Sequence, residues 1–97
     1  MKRIIFHEEA KAELKSAARW YEERSAGLGV ALREEMEAAA RRIARSPEAF
    51  GILEGDIRCH LVDRFPYGLL YQVKAEHVYI LVVMHLHRDP DYWKGRA

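Results

Sequence analysis

Val78-Tyr79-Ile80-Leu81-Val82-Val83-Met84-His85-Leu86 is the stretch on which the fold turns. A nearly unbroken apolar run of this length reads as a central strand with both faces substantially covered, and it is too short to span a bilayer. Upstream, Gly68 to Lys74 places Leu69, Tyr71 and Val73 on one face, and Lys74-Ala75-Glu76-His77 turns the chain. Before that, Ile57, Cys59 and Leu61 alternate with Arg58, His60 and Val62, and Asp63-Arg64-Phe65-Pro66 is a connector. Three strands with short connections predict an antiparallel meander.

Toward the N-terminus the period changes. Ala10, Leu14, Ala17 and Tyr21 recur at helical spacing, with Trp20 at the flank of the stripe. Glu8 and Glu9 suit the first turn of that helix, although His7 is a poor N-cap. Ser25-Ala26-Gly27-Leu28-Gly29 breaks it, and a second stripe runs through Leu28, Leu32, Met36, Ala39 and Ile43 to Ser46-Pro47. Two long helices on so short a turn form an antiparallel hairpin. Lys2 to Phe6 reads as a strand that joins one sheet edge, with either edge open to it, and Pro47 to Gly55 reads as a loop. Asp89-Pro90-Asp91 predicts a helix start, with Tyr92, Trp93 and Arg96 in the final turn. The fold class is therefore α+β, one domain over residues 1–97: N-terminal strand, helical hairpin, three-stranded antiparallel meander, short C-terminal helix.

Composition narrows the function. The 97 residues are 49% hydrophobic and 32% charged, with sixteen Lys and Arg against fifteen Asp and Glu. Neither half of the chain carries the basic excess that phosphate binding demands, so strong direct nucleic-acid binding is not expected. One cysteine, Cys59, allows no internal disulfide and suits a reducing cytoplasm. No membrane segment is expected.

The polar cluster His85-Leu86-His87-Arg88-Asp89-Pro90-Asp91-Tyr92-Trp93 is the densest candidate site. His85 and His87 would share a side of a strand and offer an imidazole base. Two ligands do not complete a zinc site, so no metal is assigned. Arg88 suits either a phosphate clamp or a structural role, pairing with Asp91 or Asp63 or satisfying carbonyls where strand gives way to helix, the structural role being the stronger reading. With Ile57, Cys59 and Leu61 facing the helices, Arg58 and His60 line the opposite, more open sheet face, as a recognition surface or as ordinary solvated residues.

Glu13-Leu14, Ala18-Arg19-Trp20-Tyr21-Glu22, Gly27-Leu28-Gly29, Ile43 with Ser46-Pro47, Arg58, Phe65-Pro66-Tyr67 with Leu70-Tyr71, and His85 followed by Arg88-Asp89-Pro90 and Tyr92-Trp93 occur in this order along the chain. Together they resemble the toxin component of type II toxin–antitoxin modules, in the RelE/ParE superfamily, and specifically its ParE-like plasmid stabilization branch. The resemblance implies an antiparallel sheet against a helical hairpin. It also implies a cognate antitoxin whose C-terminal segment wraps the toxin, with Trp20, Tyr21, Leu28 and Leu32 as docking positions. No cofactor is implied. RelE-like members cut mRNA on the ribosome without metal, whereas ParE-like members inhibit DNA gyrase by protein binding. In the RNase branch an arginine follows the tyrosine that opens the second meander strand. Gly68 stands there in this chain, after Tyr67, and the lysines of the preceding strand are missing, leaving Arg58 and His60. The expectation is a gyrase-binding toxin. The alternatives are an endoribonuclease, with Arg58, His60, His85, His87, Arg88 and Tyr92 as candidates, or a relative retaining only antitoxin binding.

Overall fold

The computed structural model describes all residues from Met1 to Ala97. Helix α1 spans Glu8–Arg24 and α2 Leu28–Arg45, following strand β1, Arg3–Phe6. His7 caps α1 better than its residue type suggests: its Nδ1 accepts the Glu9 N–H at 3.0 Å. The hairpin turn is fixed by one acid. Glu22 accepts the N–H groups of Gly27 and Gly29, each at 2.9 Å, which would otherwise be orphaned at the start of α2. Gly27 has φ +88°, a left-handed turn that favours glycine, and a Cβ at Gly29 would stand 2.5 Å from the Ala18 carbonyl oxygen, so there the close approach of the helices requires glycine. Leu32, Met36, Ala39 and Ile43 form the buried face of α2.

The sheet has five strands, in the order β1-β5-β4-β3-β2. Strands β3 (Ile57–Leu61), β4 (Tyr67–Val73) and β5 (His77–His85) form the expected meander. β1 adds parallel to β5, Arg3 opposite His77 and Phe6 opposite Ile80, which settles its edge and places β5 in the interior of the sheet. A fifth strand, β2 (Ile52–Glu54), lies where the sequence suggests loop. All three of its residues are exposed, so they carry no burial pattern to read.

The two sheet faces bury different sets. Leu69, Tyr71, Val78, Ile80 and Val83 pack under the helices, while Ile57, Leu70, Leu81 and Val82 form a second, smaller cluster on the outer face. A register shift lets Leu81 and Val82 share that outer face: Leu70 opposes Val82 and Tyr71 opposes Ile80. Two sequence expectations are corrected here. First, β3 faces the other way. Arg58 opposes Tyr71 and His60 opposes Leu69, so both lie on the helix side, and Cys59 packs with the outer cluster. The inner environment suits them because it is rich in acceptors. Arg58 Nη1 donates to the carbonyls of Glu48 (3.2 Å) and Phe50 (2.7 Å), and His60 stacks on Phe50 at 3.8 Å.

Second, the C-terminal segment is a series of turns ending in a 3-10 helix, Lys94–Arg96, rather than a helix begun at Asp89. Asp89 Oδ1 does accept the Asp91 N–H at 3.0 Å. The helix does not propagate because Trp93, 2% exposed, plugs the outer face against Ile57, Leu70, Leu81 and Val82. Burying one tryptophan contributes on the order of 4 kcal/mol, far more than one added helical turn would. No helix is long and apolar enough to cross a membrane.

Candidate functional site: an aromatic cleft beside α1

β1 stops opposite Ile80, so β5 beyond that point has no strand on its outer side. Two side chains take the strand's place. Glu13 of α1 accepts the Val83 N–H at 3.0 Å, and Arg96 Nη1 donates to the Leu81 carbonyl at 3.0 Å. The two also meet in a fork, Nη1 to Oε1 and Nη2 to Oε2, both 2.9 Å, a strong and orientation-specific pairing. Tyr92 donates its hydroxyl to Glu13 Oε2 at 2.7 Å, and Arg96 Nε reaches Glu9 at 2.9 Å. The Glu13 and Arg96 side chains are only 15% and 10% exposed. Burial alone would raise the Glu13 pKa. The hydrogen bonds from Arg96, Tyr92 and the Val83 amide outweigh it, and the carboxylate is held below its ordinary range. Burial first, then the Glu13 bond, pushes the Tyr92 phenol well above its usual value, so it stays a donor at any physiological pH.

This hub floors a cleft of about 340 Å³ between α1 and the ends of β4 and β5. Its walls are aromatic. Trp20 and Tyr21 meet edge to face at 4.9 Å, and Tyr21 lies 6.5 Å from Tyr67. Tyr67 lies 5.1 Å from His85. Arg88 caps the far wall with its guanidinium 3.9 Å over the Tyr92 ring. Such a cleft presents large, rigid apolar surface with a few polar tips, the composition of a peptide-docking groove.

The sequence-derived candidates divide. His85, Arg88 and Tyr92 line the cleft, as do Trp20 and Tyr21. His87 lies in the turn beyond, its N–H donated to His85 Nδ1 at 3.1 Å, and no group of three or more His, Cys, Asp or Glu converges to hold a metal. Arg88 pairs with neither Asp91 nor Asp63: Lys94 holds Asp91 at 3.1 Å, and Arg42 faces Asp63 at 3.9 Å. Arg58 and His60 sit elsewhere, under the C-terminal end of α2. His60 Nε2 accepts from Arg42 Nε at 2.9 Å, and burial, then the Arg42 charge, lowers its pKa, so it is a neutral acceptor. Trp20 is 50% exposed, Leu28 is half-buried and Leu32 is fully buried. Leu32 supports a docking surface only from beneath. Glu13 and Arg96 are absent from the sequence-derived site, although the signal was present: a carboxylate three residues after Ala10 and four before Ala17 falls on the buried stripe, where it needs a cation.

A family model described as ParE toxin of the type II toxin–antitoxin system, parDE, matches residues 4–90. The chain belongs to the ParE toxin family. Among solved structures, a chain titled "Chromosomal ParDE TA system from P. aeruginosa" superposes with a TM-score of 0.77 at 15% identity, covering 90% of this chain and 98% of that one. No curated protein matches. Membership bears out the resemblance to the ParE-like branch and implies an antitoxin partner. The ParE match includes Glu13, Trp20, Tyr21, Tyr67, His85 and Arg88 of the cleft. It ends before Tyr92, which lines the cleft, and Arg96, which holds Glu13 in place.

Proposed function

We propose that this chain is a cytoplasmic growth-arresting toxin, neutralised when a cognate antitoxin segment fills the aromatic cleft, and that the free protein acts by binding DNA gyrase rather than by cutting RNA. The observation that supports the second half is the separation of Arg58 and His60 from His85, Arg88 and Tyr92, which share the aromatic cleft. General acid–base cleavage needs its groups within hydrogen-bond reach of one phosphate. His60 opposes Leu69 on β4, while His85 opposes Tyr67 across the next strand pair. Strand spacing then puts their Cα atoms roughly 12 Å apart. Three of the six groups are also engaged: His60 accepts from Arg42, Arg58 donates to the Glu48 and Phe50 carbonyls, and Tyr92 donates to Glu13. At Gly68, where the RNase branch has arginine, the chain opens on an apolar outer face. A Cβ there would touch Cys59, Leu61 and Leu86.

The test is purified protein in two assays, DNA supercoiling by gyrase and translation with mRNA cleavage mapping. Inhibited supercoiling with intact message is the expected result. Codon-positioned cuts would establish the endoribonuclease alternative instead. Inactivity in both, with normal growth on expression, would leave an antitoxin-binding relative without toxicity.

A further inference from the structure

The flank of α1 opposite the aromatic cleft carries a second cleft, of about 290 Å³, between α1 and the start of α2. Its floor is Ala18 and Gly29, both buried, and its rim carries Lys15, Arg19, Arg33 and Val30. None of the three cations has a carboxylate within ion-pair distance, although the chain makes seven such contacts elsewhere. The acid in the cleft, Glu22, is committed to the amides of Gly27 and Gly29. Lys15 and Arg19 also follow Lys11 at intervals of four, a like-charge row that costs the isolated helix stability. Val30, 59% exposed, adds an unpartnered apolar side chain beside the charges. No ion pair within the fold occupies these three cations. The cleft's charge and its apolar rim are complementary to one kind of ligand.

We infer that this basic cleft docks an acidic polypeptide segment, with carboxylates against Lys15, Arg19 and Arg33 and an apolar side chain against Val30. A nucleic acid is the poorer fit. Phosphate binding draws on many cations along a backbone, whereas here Glu23, Glu34 and Glu37 stand exposed on the same two helices and would repel an extended polyanion. A side-chain carboxylate needs only the three local charges. The inference does not require the aromatic cleft to bind anything, and each surface is tested by its own variants.

The experiment is fluorescence anisotropy of the full chain with a labelled Glu/Leu-rich peptide, its Lys/Leu counterpart, and single- and double-stranded DNA oligonucleotides. Saturable binding of the acidic peptide alone is expected, weakened about tenfold or more in Lys15→Glu/Arg33→Glu and weakened further by salt. Lys74→Glu, the same reversal made at one site in the β4–β5 turn, should leave it unchanged. The double reversal should melt close to the parent, since Lys15→Glu converts the like-charge pairs with Lys11 and Arg19 into attractive ones while Arg33→Glu sets a like charge against Glu37. That combination separates a docking role from a structural one. No binding of the acidic peptide, equal loss with Lys74→Glu, or tighter binding of an oligonucleotide lost in the same double variant would each overturn the inference.

Discussion

Two cations, Arg96 and the part-exposed Arg42, tie helices to the sheet, one at each end, and they are treated differently. At the α1 end Arg96 is fully answered, by the Glu13 fork, the Leu81 carbonyl and Glu9. At the α2 end Arg42 gives one hydrogen bond to a neutral His60, faces Asp63 only at 3.9 Å, and leaves its buried Nη2 with no hydrogen-bond partner. The difference shows which end is built for precision. The saturated network replaces a missing strand along β5 and holds Tyr92 and Arg88 against the aromatic cleft. The loose contact only fills space under α2.

The comparison breaks most visibly at Glu13. Glu13→Ala leaves Arg96 charged and buried and strips the Val83 amide and Tyr92 hydroxyl of their acceptor, so it should cost about 3–5 kcal/mol in urea unfolding. Arg96→Ala should cost a similar amount, and the double variant less than the sum of the two, because the pair acts as a unit. A loss below about 1 kcal/mol for Glu13→Ala would mean that the network is decoration.

Trp20 separates stability from binding at the same end. Half exposed on the cleft rim, with the Arg24 guanidinium 3.5 Å over its ring, it has little to lose from the fold. Trp20→Ala should change stability by less than about 0.5 kcal/mol. It should weaken the complex with a co-purified antitoxin about thirtyfold, or about 2 kcal/mol, as a buried aromatic anchor does. Unchanged affinity would remove Trp20 from the docking surface. Arg58→Ala, at the other end, should leave that affinity intact.

The same contrast explains what was legible beforehand. Hydrophobic period marked every long element, because burial of Leu32, Met36, Leu69 and Ile80 is what makes those elements form. It could not say which alternate set of β3 faces the helices, since a period of two is symmetric until a partner is placed. Arg58 and His60 face inward because the Phe50 ring and nearby carbonyls receive them, and those come from a loop without pattern. Asp89-Pro90 marked a capping turn, in which Asp89 accepts the Asp91 N–H, and whether a helix followed was decided by a distant pocket for Trp93. Trp20, Tyr21, His85, Arg88 and Tyr92 were legible as site residues by type. Glu13, which organises them, hid as an apparent gap in an apolar stripe.

Smaller effects sharpen the contrast. Arg42→Leu should stay within about 1 kcal/mol of the parent, because it removes an unsatisfied buried donor along with one hydrogen bond. The loose end also sets how the protein responds to mild acid. Burial and then the Arg42 charge hold the His60 pKa below its ordinary value. The unfolded chain therefore takes up a proton that the folded state refuses, and stability should begin to fall as pH drops below about 6.5. The slope from one such group is at most about 1.4 kcal/mol per pH unit. Glu13, whose pKa is also lowered, obeys the same sign in a different window. Its contribution is complete above about pH 4.3 and is lost only below it. Urea midpoints across this range should thus show a shallow decline first and a steeper one in stronger acid. His60→Gln, which keeps an acceptor for Arg42 but cannot titrate, should flatten the upper part and leave the lower part in place. If the decline near pH 6 survives in His60→Gln, the protonation responsible lies on another histidine, and the loose end is not the acid-sensitive one.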